Sequence, residues 1–129
     1  MNRAQNNISS HRIGFNGEAY VALLLAKAGW QVLARNYRIK SSEIDIIASK
    51  GQTLIGVEVK TRQEHILLSD NFLQSSLCNL AKYKSLYLGL NTYVERLNLS
   101  PFTLRIDLAL ISYSDSAYKL VNYWTELGF

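Results

Sequence analysis

Residues 43–60 read EIDIIASKGQTLIGVEVK and set Glu43, Asp45, Glu58 and Lys60 inside two otherwise aliphatic runs. Ser-Lys-Gly-Gln between the runs is a hairpin signal, with Gly51 suited to a left-handed turn position. With Lys50-Gly51 as a two-residue turn, Ser49 faces Gln52, Asp45 lies opposite Gly56 and Glu43 opposite Glu58. Side chains alternate with period two, so Glu43, Asp45, Glu58 and Lys60 are expected on one face. Ile44, Ile46, Val57 and Val59 are expected on the other. Asp45 and Glu58 become diagonal neighbours about 5.5–8 Å apart, close enough to share one ion. Like charges so placed repel, and burial sharpens the repulsion. Mg²⁺ suits such a pair, because it takes one or two carboxylates with waters and phosphate oxygens. Lys60 points the same way and can meet a phosphate or an attacking water. A solvent-facing strand on which a Glu–Lys pair offsets repulsion satisfies the same pattern.

The elements that must hold this hairpin are legible around it. Phe15, Ala19, Ala22, Leu23 and Ala26 have helical spacing, predicting a helix from about His11 to Ala28 with Gly29 as its stop. Residues 30–39 read as a strand, followed by the two hairpin strands and a loop over 62–74. Residues 76–97 carry a helical stripe through Leu77, Leu80, Ala81, Lys84, Tyr87, Leu88 and Val94, and Ser100-Pro101 ends it. Residues 103–112 and 117–124 are further strands. The order α-β-β-β-α-β-β predicts an α/β fold, a mixed sheet with helices against it.

Length and composition narrow the class of protein. The 129 residues form one domain over 11–129 after a flexible polar tail at 1–10. Apolar residues make up 48% and charged residues 19%, which fits a globular rather than a disordered chain. Cys78 is the single cysteine, which excludes an internal disulfide. With no signal-peptide pattern, a reducing cytoplasm is expected. The longest apolar stretch, residues 19–26, is too short to span a bilayer, so no membrane role is expected. Net charge is +4, and it is uneven. Residues 1–62 hold nine Lys or Arg against four Asp or Glu, the remainder five against six. The basic half is the one with the acidic hairpin, which favours a polyanionic partner.

The segments IGFNGEAYVALLLAKAGWQVLARNYR, SEIDIIA and GVEVKTR, in this order and spacing, resemble the YraN family of small bacterial proteins. That family is similar to the PD-(D/E)xK nucleases, particularly archaeal Holliday-junction resolvases. The resemblance runs from about Gly14 to Arg62, with an echo near Lys82 and in RIDLALI (105–111). It implies a restriction-endonuclease-like core, with Asp45 and Glu58 as metal ligands, Lys60 as the catalytic lysine and Glu18 as an additional acid from the first helix. Three departures stand out. Ser42 occupies the position before Glu-Ile-Asp where the family usually has Gly. The stretch 63–74 lacks the family's Phe-Gly-Pro-like loop, and the second helix is less basic than usual.

The reading is therefore a Mg²⁺-dependent endonuclease acting on DNA, branched or single-stranded, with Mn²⁺ as a substitute ion. Asp45, Glu58, the Val59 carbonyl and Glu18 would hold the metal. Lys60 would orient water or stabilise charge, an ammonium being a poor base unless desolvated. Arg38, Arg62, Lys82 and Lys84 are the candidates for phosphate contacts, although Lys82 and Lys84 equally fit a wet helix face. Junction cleavage would favour a homodimer. Glu18 also fits a first-turn acid answering the helix dipole. Asp107 is expected to be structural, Cys78 to pack in the core, and His11 and His65 to lie on the surface. Two rivals use the same residues: a nucleic-acid-binding module that cleaves nothing, and an acidic face that docks a basic protein.

Overall fold

The computed structural model describes residues 10–64, 78–99 and 102–127. Most of the tail expected at 1–10, most of the loop expected at 62–74, His65, and the Ser100-Pro101 break lie outside the described residues. Helix α1 spans Ser10–Lys27, strand β1 Gln31–Ile39, β2 Ser42–Lys50 and β3 Thr53–Gln63. Helix α2 spans Leu80–Arg96, strand β4 Thr103–Ser114 and β5 Ala117–Trp124. One five-stranded sheet runs in the order β1-β2-β3-β4-β5. All neighbours are antiparallel except β3 and β4, which are parallel, so α2 is the crossover between them. The predicted order of elements and the α/β class are those observed. No helix among the described residues is long and apolar enough to cross a membrane.

Each sheet face carries its own core. Val21 and Leu25 of α1 pack with Ile46, Ala48, Ile55, Val57, Val59, Ala109 and Ile111. Leu86, Leu90 and Tyr93 of α2 pack on the opposite face with Ile44, Ile47, Leu54, Ile106, Leu108 and Leu110, together with Cys78. Fully burying one such side chain contributes about 1.5–3 kcal/mol, so these two layers fix where both helices lie. Asn79 caps α2 by accepting from the Lys82 amide at 2.9 Å. Asp107 is fully buried and structural, as expected. It accepts from Arg105 Nε and Nη2, both at 2.9 Å, from the Tyr123 hydroxyl at 2.6 Å and from the Glu126 amide at 2.9 Å. This ties the segment after β5 back to β4.

Three sequence-based expectations are corrected. The hairpin turn is Gly51-Gln52, with Lys50 paired to Thr53. Gly51 takes the first turn position at φ 58, as a tight hairpin loop requires. The register thus moves by two residues relative to expectation and Ile47 faces Gly56. Second, Ile44 does not share a face with Ile46: it lies in the α2-side core with Ile47, while Ile46 and Ala48 lie on the α1 side. Alternation slips at Asp45. The facing strand is also irregular there, since Asn36, between the pairs Arg35–Ile46 and Tyr37–Ile44, has φ 52. Third, most of the apolar stripe expected on α2 faces outward, although Val94 packs against the core and Leu77 lies outside the described residues. Leu80, Tyr87 and Leu88 are 46%, 40% and 53% exposed, whereas Leu86, Gly89, Leu90 and Tyr93 are buried. Both stripes have i, i+3, i+4 spacing, so periodicity alone does not choose between them.

Helix α1 approaches β3 so closely at Gly17 that a methyl there would collide with the Thr61 hydroxyl. Gly17→Ala should therefore destabilise the fold by about 1–3 kcal/mol, the clash exceeding the roughly 1 kcal/mol helix-propensity gain. In a Thr61→Ala background the cost should fall by more than about 1 kcal/mol, because the two residues act through one contact. Urea unfolding of the four proteins of this cycle checks it. An equal cost in both backgrounds would show that the contact does not position α1.

Candidate functional site

The slip in β2 determines what Asp45 can reach. Counted from Ile47, Asp45 belongs on the α2 side of the sheet; counted from Ile44, it belongs on the α1 side. Its carboxylate lies at the seam, where Oδ2 accepts the Val59 backbone N–H at 2.8 Å. The β2–β3 backbone pairing ends just before, at Ile46–Val57. A side chain thus stands where the next strand-to-strand contact would be.

Two further carboxylates approach from opposite faces. Glu18, on α1, is hydrogen-bonded to Asp45, an arrangement that places one proton between them. Glu58, on β3, is 96% buried and points to the α2 side, where Lys60 Nζ lies 3.0 Å from Oε1 and Lys82 Nζ 3.9 Å from Oε2. Burial, followed by the Glu58 charge, pushes the Asp45 carboxyl up to about 8. Burial likewise raises Glu18, opposed by Asp45 and by the nearby Arg35 guanidinium. Glu18 Oε2 and Glu58 Oε2 are buried acceptors with no hydrogen-bond donor, and the Thr61 hydroxyl beside α1 also lacks a partner.

Glu18, Asp45, Glu58 and Lys60, named from the sequence, are therefore brought together. Lys82 joins them from α2. The Val59 amide fixes Asp45, and Arg62, whose Nη1 donates to the Thr61 carbonyl at 2.9 Å, follows directly on β3. Lys84 is exposed on the far side of α2, and Arg38 is paired with Glu43 at 2.8 Å on the β1–β2 hairpin. Neither touches the carboxylates. Ser42, where the family usually has Gly, packs its hydroxyl against Gly89 of α2, which accommodates the larger residue. Sequence reasoning missed Arg35 and Thr61. Arg35 interrupts an apolar strand just before Asn36, and Thr61 is the hydroxyl following Lys60; both signals are too common to single out alone.

Orphaned acceptors around a shared proton suit a hard cation, which would displace that proton and satisfy the free oxygens. Among the described residues no group of three His, Cys, Asp or Glu side chains is placed to hold a metal ion as it stands. Mg²⁺ keeps several waters and binds through one or two carboxylates, so fewer protein ligands suffice.

Fold and site together define an α/β protein with three carboxylates and a lysine gathered at the splayed end of a central hairpin. A family model described as uncharacterised protein family UPF0102 matches residues 17–111, a span that includes all four of these residues. A UPF0102 protein of Symbiobacterium thermophilum is 37% identical over 101 residues, 77% of this chain and 80% of the relative. A UPF0102 protein of Chlorobium limicola is 50% identical over 52 residues, 40% of each chain. One of Nitratidesulfovibrio vulgaris is 46% identical over 59 residues, 46% of this chain and 44% of the relative. The chain belongs to UPF0102, the YraN family.

The raised Asp45 pKa has a consequence for stability. An unfolded aspartate ionises near 3.9, so the folded state retains its proton after the unfolded state has lost it. The contribution of Asp45 is then fully present below about pH 4 and is lost as pH rises toward its folded value of about 8. In EDTA, wild-type stability should fall across this window relative to Asp45→Asn, by up to about 1.4 kcal/mol per pH unit. Parallel urea titrations at pH 5 and pH 8 measure the difference. Parallel pH profiles for the two proteins would mean that Asp45 is ionised throughout.

Proposed function

We infer that this protein is a metal-dependent endonuclease that hydrolyses DNA phosphodiester bonds. The observation that carries the reading is the pair of buried, donor-free carboxylate oxygens on Glu18 and Glu58 flanking Asp45, with Lys60 alongside. A folded protein gains little in stability from such a cluster, because a buried acceptor without a hydrogen bond costs about 1–3 kcal/mol, and Glu58 Oε2 has only the more distant Lys82 ammonium at 3.9 Å. The resemblance to PD-(D/E)xK nucleases gives the same residues their roles.

Asp45 and Glu58 would hold Mg²⁺, or Mn²⁺ in its place, with the Val59 carbonyl and Glu18 completing the protein ligands. When bound, the ion supplies Lewis-acid polarisation of the scissile phosphate and a lowered pKa for water. The Val59 amide holds Asp45 in place before any ligand arrives. Lys60 stands next to Glu58 at 3.0 Å, so its ammonium is positioned to orient water or meet developing negative charge on phosphate. Glu18 carries or releases the proton that it shares with Asp45. Lys82 and Arg62 flank these groups and would neutralise adjacent phosphates. The basic first half of the chain draws a polyanion toward an otherwise repulsive cluster. The setting would be the cytoplasm, and a homodimer would follow if the substrate is two-fold symmetric.

Lys60 has two separable duties. It offsets the buried Glu58 charge in the metal-free protein, and it would serve chemistry in the loaded one. Lys60→Ala should lower Tm in EDTA, recover most of that loss in Mg²⁺, and still lose cleavage by 10²-fold or more, on the order expected for one oriented electrostatic group. Lys60→Arg should restore Tm better than turnover, a planar fork replacing a point charge. Unchanged turnover in Lys60→Ala, across duplex, single-stranded, flap and four-way DNA, would remove its catalytic role.

Asp45→Asn should separate cleavage from binding. It keeps the side chain's shape and its bond from Val59 but removes a charge that a phosphate must otherwise approach. Each close like-charge pair costs on the order of 1–4 kcal/mol at effective dielectrics of 80 to 20. Cleavage in Mg²⁺ should fall steeply while DNA binding in EDTA tightens, both measured at one fixed modest salt concentration. A passive binding module, or an acidic face that docks a protein, would show neither change.

A further inference from the structure

The outward stripe of α2 is unused by the site and too apolar for an ordinary wet surface. Leu80, Tyr87 and Leu88 are 46%, 40% and 53% exposed, and Tyr83, Lys84, Tyr87, Leu88 and Asn91 line a shallow depression of about 340 Å³. The Tyr83 and Tyr87 rings lie 6.2 Å apart between centroids, tilted by 34°. No acidic residue occurs on α2 before Glu95, while Lys82 and Lys84 bracket Tyr83. The face thus offers Lys84 and aromatic rings with no acid of α2 beside them, while Lys82 is shared with Glu58. That combination suits an anionic chain bearing flat apolar groups better than it suits a second, largely acid-free copy of itself.

The stripe also runs on from the site. Lys82 Nζ lies 3.9 Å from Glu58 Oε2, at the carboxylate cluster. Each residue advances roughly 100° around a helix, so Tyr83 and then Tyr87 and Lys84 carry the surface from Lys82 over the first turns of α2 to its outer side. A polynucleotide lying at Glu58 would meet this path within a few nucleotides.

We propose that the outer face of α2 is a platform for unpaired nucleotides, with a base stacking on Tyr87, the half-buried Tyr83 ring backing it, and Lys84 beside the phosphates. This rests on the endonuclease reading and narrows its substrate to DNA with a single-stranded arm at the cleavage site. Stacked base pairs hide their faces from a protein surface, so a duplex gains nothing from an exposed tyrosine ring, whereas every unpaired base has a face to offer.

The test uses the full chain in EDTA with fluorescein-labelled dT20 and a 20-base-pair duplex, at one salt concentration. Tyr87 is exposed, so its substitution leaves the core intact. Tyr87→Ala should weaken dT20 binding on the order of tenfold and leave duplex binding within twofold. Tyr87→Trp should bind dT20 at least as tightly as wild type, since a larger ring stacks equally well. Lys84→Ala should weaken dT20 binding and flatten its salt dependence by about one counterion. An unchanged dT20 affinity in Tyr87→Ala overturns the platform, and so does equal loss on both DNAs. A shift from dimer to monomer in Tyr87→Ala without loss of DNA binding overturns it too, assigning the face to a second copy of the chain. If neither DNA binds wild type or Asp45→Asn, the endonuclease reading fails and takes the platform with it. If both bind and Mg²⁺-dependent cleavage is present while Tyr87→Ala is silent, the platform alone fails.

Discussion

The site depends on one departure from regular strand geometry, the slip in alternation at Asp45. On either side of it β2 is an ordinary strand with one set of side chains toward α1 and the other toward α2. At the slip, Asp45 belongs fully to neither face. Its carboxylate turns into the seam between β2 and β3 and takes a backbone N–H from Val59. Only from there can one residue interact with Glu18 on α1 and with Glu58 on the α2 side. Regular alternation would have sent Asp45 into one layer or the other and left the two flanking acids on opposite sides of a closed sheet. Asn36 on β1 makes the slip tolerable: it faces the irregularity in the left-handed conformation that Asn adopts more easily than most residues.

The neighbouring strands supply the rigidity that this irregular edge lacks. Strand β3 pairs with β4 from Thr53–Thr103 to Gln63–Tyr113 without a register shift. Glu58 and Lys60 are therefore held on an unbroken ladder, with their relative positions set by the backbone. Asp45 is held on the slipped side by the Val59 amide and by its contact with Glu18. The arrangement puts strain and repulsion where the backbone is already open and spares the central pair of strands, whose side chains contribute to both cores. Such a division is expected where a site needs groups that folding alone would reject.

How much of this was legible from sequence can be judged residue by residue. Charge inside an aliphatic hairpin marked Asp45, Glu58 and Lys60, because burial of apolar neighbours makes any charge among them conspicuous. The order of elements followed from periodicity and turn residues. The register did not, since Ser-Lys-Gly-Gln allows two turns of equal length and only packing against the helices selects Gly51-Gln52. Faces were predicted from parity, and parity has no means of representing a slip. Helix α2 was misoriented for a different reason. Its buried stripe includes Gly89, whose lack of a side chain is what lets Ser42 and Ile44 pack closely, and a hydrophobicity pattern counts a glycine as nothing. Arg35 and Thr61 acquire meaning only once α1 is docked. The resemblance carried Glu18, which local spacing alone left as a plausible dipole-complementing acid.

The two helices then have distinct and complementary tasks. Helix α1 reaches the site through a backbone contact: Gly17 rests on Thr61, and the next residue, Glu18, is delivered to Asp45. This is a short, stiff connection that leaves little freedom in where the carboxylate lies. Helix α2 reaches the same cluster through Lys82, a long side chain 3.9 Å from Glu58 that can adjust as charge in the site changes. An acid fixed by backbone contact suits a group that must hold one position. A flexible cation suits a group that must follow a partner whose charge changes. The asymmetry means that approach from the α2 side meets positive, adaptable groups, whereas the α1 side presents Glu18, a half-buried acid. If a polyanion binds here, its path therefore runs across α2.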